Sequence, residues 1–409
     1  MLKTLLRDRS AAEIVASISD AAERWSDADF PPRVRVTAAI EARLGYSTPV
    51  VDYALDRLFF PVRGPALIAA IEAEIGSLAA LDGPLERPGD RATFARGVDR
   101  VTIVSSDTTI GVALIPALFA LCAKCDVTVK DRSDALVSAF FETLADERPE
   151  FARAAHARVW NGGDDAAEAA LLAASDVVVA FGDDASLRTI RTHLRADARF
   201  VPFAHRMSIG YIAARALAQA DSRATALRGA ARDAILYDGD GCLSLHALFV
   251  QGEPDKSIAQ ELAQALGAAA LEFPGGALDA ARAASVASYR NLAAFRAAGG
   301  RGAVYSVADD SVTLAIAPPL DAPPPLLPRV LPVYFVDSHT DVAAYIAQHA
   351  LPIQAIGVAT NDVRERELAE MIGAVRICPL GEMQSPPLGG HHGGAARIAD
   401  FIRYVDAES

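Results

Sequence analysis

The chain has 409 residues, 52% of them hydrophobic, and a formal net charge of −13. That apolar content argues against a mostly disordered protein, and the length suits two or three domains. Net acidity without a basic stripe argues against nucleic acid as a partner. Four cysteines in so long a chain make no disulfide framework.

The opening MLKTLLRDRSAAE turns charged before an apolar core develops, so it does not read as a signal peptide. No stretch approaches the roughly 20 apolar residues of a membrane span, and a cytoplasmic protein is expected. Residues 1–95 read as a helical N-terminal region, with SAAEIVASISDAAERW and PALIAAIEAEIGSLAAL as helices between Pro- and Gly-containing connections.

Near residue 99 the pattern changes to strands alternating with helices. RVTIVSS, DVTVK, HARVWNGG, SDVVVAFG and ARFVPFAHR read as strands, each followed by a helix, the last near SIGYIAARALAQA. Strands apolar on both faces and alternating with helices imply a covered parallel sheet. Its ligands would lie at the carboxyl ends of the strands, where the turns at Asp107, Lys130 and Gly182 fall.

After the turn YDGDGC comes the strand LSLHALFVQ, then the helix KSIAQELAQALGAAA. VYSVADDSVTLAIAPP reads as a hairpin, and the Pro-rich DAPPPLLPRV as a connection or an edge. A second α/β unit follows: strand VLPVYFVDS, helix, strand IQAIGVAT, helix VRERELAEMIG and strand GAVRICPL. The tail PPLGGHHGGAARIADFIRYVD reads as a Gly-rich loop entering a helix.

Several residues stand out chemically. Cys242 follows two Gly-flanked aspartates in a polar turn, which leaves a thiol within reach, either as a nucleophile or as a thiol opening a strand. His246 is no natural base for it: four strand positions span more than roughly 10 Å, so a packed or hydrogen-bonded histidine is expected. Lys130 at a strand end is an ordinary surface lysine or a contact to a ribose or a 2′-phosphate. Arg132 beside it strengthens an anionic ligand, because its planar fork suits phosphate. Gly182 lets a ligand approach the backbone, while Asp183 and Asp184 are helix caps that repel phosphate. No GxGxxG follows a strand. Cys122 and Cys125 in CAKC lack a second CxxC or a His pair, and HHGG (391–394) lacks a third ligand; neither reads as a metal site.

In order, these pieces resemble the aldehyde dehydrogenase superfamily. VTVKDRS stands where that superfamily has VxKPSE, GDGC where it has GQxC, LPVYFVDS where it has GPVLPV, and PPLGGHHGG where it has PFGGxKxSG. SSDTTIG, VKDRSD, FAHRMSIGY, LYDGDGCLSLH and GGHHGGAARIADFIRYV look most like its acyl-CoA reductase branch, which includes the long-chain acyl-thioester reductases of bacterial luminescence. The resemblance covers roughly residues 95–405.

It implies an α/β fold of aldehyde dehydrogenase type in four parts: the helical region 1–95, a Rossmann-like NADP-binding domain 96–236, a catalytic domain 237–385, and a Gly-rich loop and helix 386–409. It implies reduction of a fatty acyl thioester, carried on CoA or on a protein, to the aldehyde by a homo-oligomer, with Cys242 as nucleophile. Lys130 would contact the adenosine ribose and Gly182 the cofactor. Asp107 falls where oxidising relatives carry an oxyanion-binding Asn; Asp is a poorer donor, which leaves that task to the Cys242 N–H. The Glu that oxidising members use to activate water falls near Arg206–Ser208, where there is none, and this favours reduction. Ser133 replaces the ribose-binding Glu of KPSE; with Arg132 adjacent, this favours NADPH. The rivals are an aldehyde-oxidising dehydrogenase, a cofactor-independent Cys acyltransferase or thioesterase, and a silent scaffold for an acyl-activating partner.

Overall fold

A computed structural model describes residues 5–87, 91–106, 109–132, 134–159, 165–360 and 362–408. The chain forms two compact units, one of Met1–Arg43, Val51–His205 and Pro387–Ser409, the other of Leu44–Val50 and Arg206–Pro386.

The first unit begins with helices α1 (Ala11–Trp25), α2 (Pro31–Leu44), α3 (Thr48–Phe59) and α4 (Gly64–Ile75). Ser10 and Glu13 close a capping box on α1, satisfying two amides that helix geometry leaves unpaired. Strands β1 (Leu85–Arg87) and β2 (Arg91–Gly97) follow. Next come β3 (Arg100–Val104), α5 (Leu114–Cys122), β4 (Asp126–Lys130), α6 (Leu136–Glu147), β5 (Ala155–Arg158), α7 (Asp165–Ala173), β6 (Val177–Gly182), α8 (Asp184–Thr192) and β7 (Arg199–Ala204). Strands β3 to β7 make an all-parallel sheet in the order β5-β4-β3-β6-β7. The N-terminal helices join its cover: Trp25 of α1 tilts against Phe59 and Phe140, and its indole N–H donates to Thr143 of α6 at 3.0 Å.

The second unit holds β8 (Met207–Ile212), α9 (Ala214–Leu217), α10 (Ala220–Ile235), β9 (Leu245–Gln251), α11 (Lys256–Glu272), α12 (Ala280–Ala298), β10 (Ala303–Val307), β11 (Val312–Ile316), β12 (Val330–Val336), α13 (His339–Gln348), β13 (Ile353–Val358), α14 (Val363–Met371) and β14 (Arg376–Pro379). Its sheet runs β10-β11-β12-β9-β8-β13-β14, parallel throughout except for the hairpin partner β10.

Three segments differ from the sequence expectation. SIGYI is not the start of a helix but most of β8, every residue of which is buried. A Cβ on Gly210 would lie 2.8 Å from Leu248 and 2.9 Å from Leu245, so glycine lets the neighbouring strand's leucines fill that space. The C-terminal tail is not helical: after a short 3-10 turn, Ile402–Glu408 pairs antiparallel with β2. Residues 1–95 are therefore not only helices and loops, because β2 sits between β1 and that last strand. Its partner lies some 300 residues away, and no local pattern announces it.

Candidate active site

The turn before β9 is built from unusual backbone. Tyr237, Asp238 and Gly239 have φ of 57°, 52° and 78°, three successive left-handed residues, two of which are not glycine. Such positions cost about 1 kcal/mol or more each and persist only where surroundings hold them. Here Arg329 does so. Its Nε donates to Asp238 Oδ1 at 2.5 Å, its amide to the Asp238 carbonyl at 3.1 Å, and its Nη2 to the Phe273 carbonyl at 2.7 Å. The Gly276 amide donates to Asp238 Oδ2 at 3.1 Å, and Arg282 pairs with Asp240.

The next four residues close a turn in which the Ser244 amide donates to the Gly241 carbonyl at 2.9 Å. Ser244 Oγ accepts from the Gly241 amide at 3.1 Å and from Gln384 Nε2 at 2.7 Å. Ser208 Oγ donates to the Cys242 carbonyl at 2.7 Å and accepts from the Ala355 amide at 3.1 Å. Both serines are fully buried. The main chain of Cys242 is thus clamped while its side chain stays exposed.

Surrounding protein raises the Cys242 thiol above its ordinary pKa, while the amides of Cys242 and Leu243 pull it down. Accessibility separates it from the other cysteines: Cys122, Cys125 and Cys378 are buried. Burial pushes Cys122 up to about 12 and Cys125 upward as well, so the CAKC pair consists of protonated packing thiols.

His246 lies on β9, and its Nδ1 accepts from the Ser208 amide at 3.2 Å. Burial pulls it down to about 4, so it is neutral at pH 7 and bound to the strand beside it. Cys242 and Ser208 both stand at the amino ends of parallel strands, β9 and β8.

In the first unit, Lys130 ends β4 and is 7% exposed. Its Nζ lies 3.3 Å from Glu168 Oε1 on α7. Arg132 Nε donates to the Ser106 carbonyl at 3.0 Å, and its Nη2 donates to the Ser105 carbonyl. Gly182 ends β6, and a Cβ there would touch only Ser186, at 3.5 Å. Asp183 caps α8 by accepting from the Ser186 amide at 2.7 Å. The expected sites Asp107 and Ser133 lie outside the described residues.

Of the two adjacent histidines, His392 stacks on Phe203 with ring centroids 4.4 Å apart and tilts against Phe181 at 5.5 Å. Burial and nearby Arg397 pull it down to about 3. Among the described residues, no group of three His, Cys, Asp or Glu side chains is placed to hold a metal ion, and no helix is long and apolar enough to cross a membrane.

Sequence reading missed Ser208, Ser244, Arg329, Gln384 and Glu168. Ser208, Arg329 and Gln384 come from chain segments distant from Cys242, and Glu168 lies 38 residues from Lys130. Only the unusual YDGDG run hinted that something must hold it.

A comparison with curated proteins finds no match. Among solved structures, the chain resembles PnpE from Pseudomonas sp. WBC-3 with a TM-score of 0.73 and 15% identity, covering 99% of this chain and 87% of that one. It resembles an NAD-dependent benzaldehyde dehydrogenase from Corynebacterium glutamicum with a TM-score of 0.68 and 13% identity, over 99% and 87%. The indole-3-acetaldehyde dehydrogenase AldA of P. syringae, solved in complex with NAD+, matches with a TM-score of 0.71 and 14% identity, over 98% and 84%. At these identities the likeness shows the fold, which is that of the aldehyde dehydrogenases. The family model for acyl-CoA reductase (LuxC) matches residues 6–404, and the chain therefore belongs to the LuxC acyl-CoA reductase family.

Proposed function

We propose that the chain reduces a fatty acyl thioester, on CoA or on a carrier protein, to the aldehyde with Cys242 as nucleophile. The observation that carries this reading is a single exposed thiol on a clamped turn, in a chain whose other three cysteines are buried.

In this mechanism the Cys242 thiolate attacks the acyl carbonyl carbon. The new C–S bond forms as the bond to the CoA or carrier sulfur breaks; that sulfur departs as a thiolate and takes a proton from solvent, leaving an acyl thioester on Cys242. A nicotinamide dinucleotide held by the first unit would supply the hydride, with its two electrons, that reduces this acyl thioester. Hydride addition to the acyl carbon would leave a thiohemiacetal oxyanion, which collapses as its C–S bond breaks, releasing aldehyde and regenerating the thiolate. The Cys242 N–H donates to the oxyanion, and the Ser208 bond to the Cys242 carbonyl keeps that peptide oriented. No carboxylate occupies Arg206–Ser208 to activate water against the acyl-enzyme.

The residues present fit a dinucleotide. Lys130 and Glu168 offer a donor and an acceptor at the carboxyl edge of the parallel sheet, and Gly182 leaves backbone open there. The donor in this reading is NADPH or NADH, NADPH being the expectation drawn from Arg132 and Ser133.

The test is incubation with a panel of acyl-CoAs and each dinucleotide, following absorbance loss and trapping the aldehyde. Cys242→Ala is expected to lose aldehyde formation while still binding dinucleotide. Wild-type-like reductase activity in Cys242→Ala would overturn the mechanism.

A further inference from the structure

A cavity of about 130 Å³ opens in the second unit at the carboxyl end of β11, between α12 and the chain that follows the strand. Strands β11 and β12 run parallel with β9, so it lies at the opposite end of that sheet from the turn of Cys242. An apolar hollow of about 150 Å³ takes a benzene ring, so this one, open on one side, has room for a single ring. Tyr289, Ile316 and Tyr334 are among its walls, and aromatic side chains favour an aromatic guest in stacked or edge contact. Pro318, Pro319 and Pro323 line it from the segment after β11. That segment is held in place: the Tyr345 hydroxyl donates to the Ala322 carbonyl at 2.8 Å, and His349 Nε2 lies 3.0 Å from the Leu320 carbonyl. A site fixed beforehand costs little ordering when it is filled. Charge on the lining is of one sign, from the half-buried Arg296 and the exposed Arg301. No Asp or Glu lines the cavity, and among the described residues neither guanidinium has a carboxylate partner. The planar fork of a guanidinium matches a carboxylate.

We propose that this cavity is a ligand site separate from the Cys242 turn, and that it takes an arylalkyl carboxylate. The ring fills the apolar hollow, and the carboxylate accepts from Arg296 and Arg301. Binding here requires neither the Cys242 thiol nor a dinucleotide.

The test is calorimetric binding of 4-phenylbutyrate to the full chain, beside its neutral isostere 4-phenylbutanamide and the ring-less butyrate. Wild type is expected to bind 4-phenylbutyrate about tenfold or more tightly than the amide, and butyrate not measurably. Arg296→Gln with Arg301→Gln should weaken 4-phenylbutyrate by about tenfold without weakening the amide. Ala293→Phe, which sets a ring on the cavity wall, should weaken both aryl probes. A chain alkylated at Cys242 by iodoacetamide should bind 4-phenylbutyrate as the untreated chain does. Absence of saturable binding, or equal affinity for carboxylate and amide, overturns the proposal. So does carboxylate binding unaltered by the double arginine substitution. Loss of binding on Cys242 alkylation also overturns it, because the probe would then sit at the reactive turn.

Discussion

The hydroxyl of Ser208 lies 2.7 Å from the carbonyl oxygen of Cys242 and 3.1 Å from the amide nitrogen of Ala355, so one buried side chain ties the Cys242 peptide to β13. Ser208→Ala leaves that carbonyl and that amide without this partner in a buried place. It is expected to cost about 2–3 kcal/mol in urea unfolding. Because the Cys242 peptide is freed, kcat should fall with KM little changed, as steady-state kinetics would show.

Asp238 and Arg329 form the buried ion pair under the left-handed turn. Arg329→Met leaves a buried carboxylate unpaired, and a loss of about 3–5 kcal/mol is expected. Asp238→Asn with Arg329→Met removes both charges while Asn still tolerates positive φ, so the double variant should recover part of that loss. A double variant less stable than Arg329→Met would contradict this account.

Gly229 lies inside α10, where Ala is ordinarily worth about 1 kcal/mol more than Gly. Here a Cβ would stand 2.3 Å from the Leu380 carbonyl oxygen and 2.9 Å from the Gly381 amide, both backbone atoms. Overpacking should win, so Gly229→Ala is expected to destabilise by about 1–3 kcal/mol in thermal unfolding.

The Cys242 thiol is raised by its surroundings, and only the thiolate reacts. Its alkylation by iodoacetamide should therefore climb with pH and keep climbing beyond the ordinary thiol value of about 9. A plateau below that value would show a partner that this structure does not contain. Mass spectrometry should find Cys122, Cys125 and Cys378 unmodified in the native chain.

Asp233 is fully buried on α10, and burial raises its carboxyl to about 7 although the Gly381 and Met383 amides donate to it. Between the ordinary carboxyl value and about 7 the native state holds a proton that the unfolded chain releases, so stability falls as pH rises through this window. The penalty above that window is up to about 4 kcal/mol. Wild type should lose stability relative to Asp233→Asn between pH 5 and pH 8, measured by thermal unfolding.

Much of the fold was legible because strands buried on both faces and amphipathic helices write their periods locally. The parallel strands 100–104, 126–130 and 177–182 are of this kind. The run at 207–212 was misread because a short apolar stretch with glycine satisfies either period, and only the side chains of Leu245 and Leu248 decide between them.

Within the candidate site, sequence by itself singled out the proposed nucleophile: a cysteine after YDGDG, with no carboxylate at 206–208 and a histidine too far along its strand to act as base. Tertiary structure alone decided what holds that cysteine and what stands beside Lys130. Arg329, Ser208, Gln384 and Glu168 act through contacts between residues tens to more than a hundred positions apart. Local sequence records the conformational preferences of a segment, whereas desolvation, hydrogen-bond partners and neighbouring charge depend on which distant segments the fold brings to it.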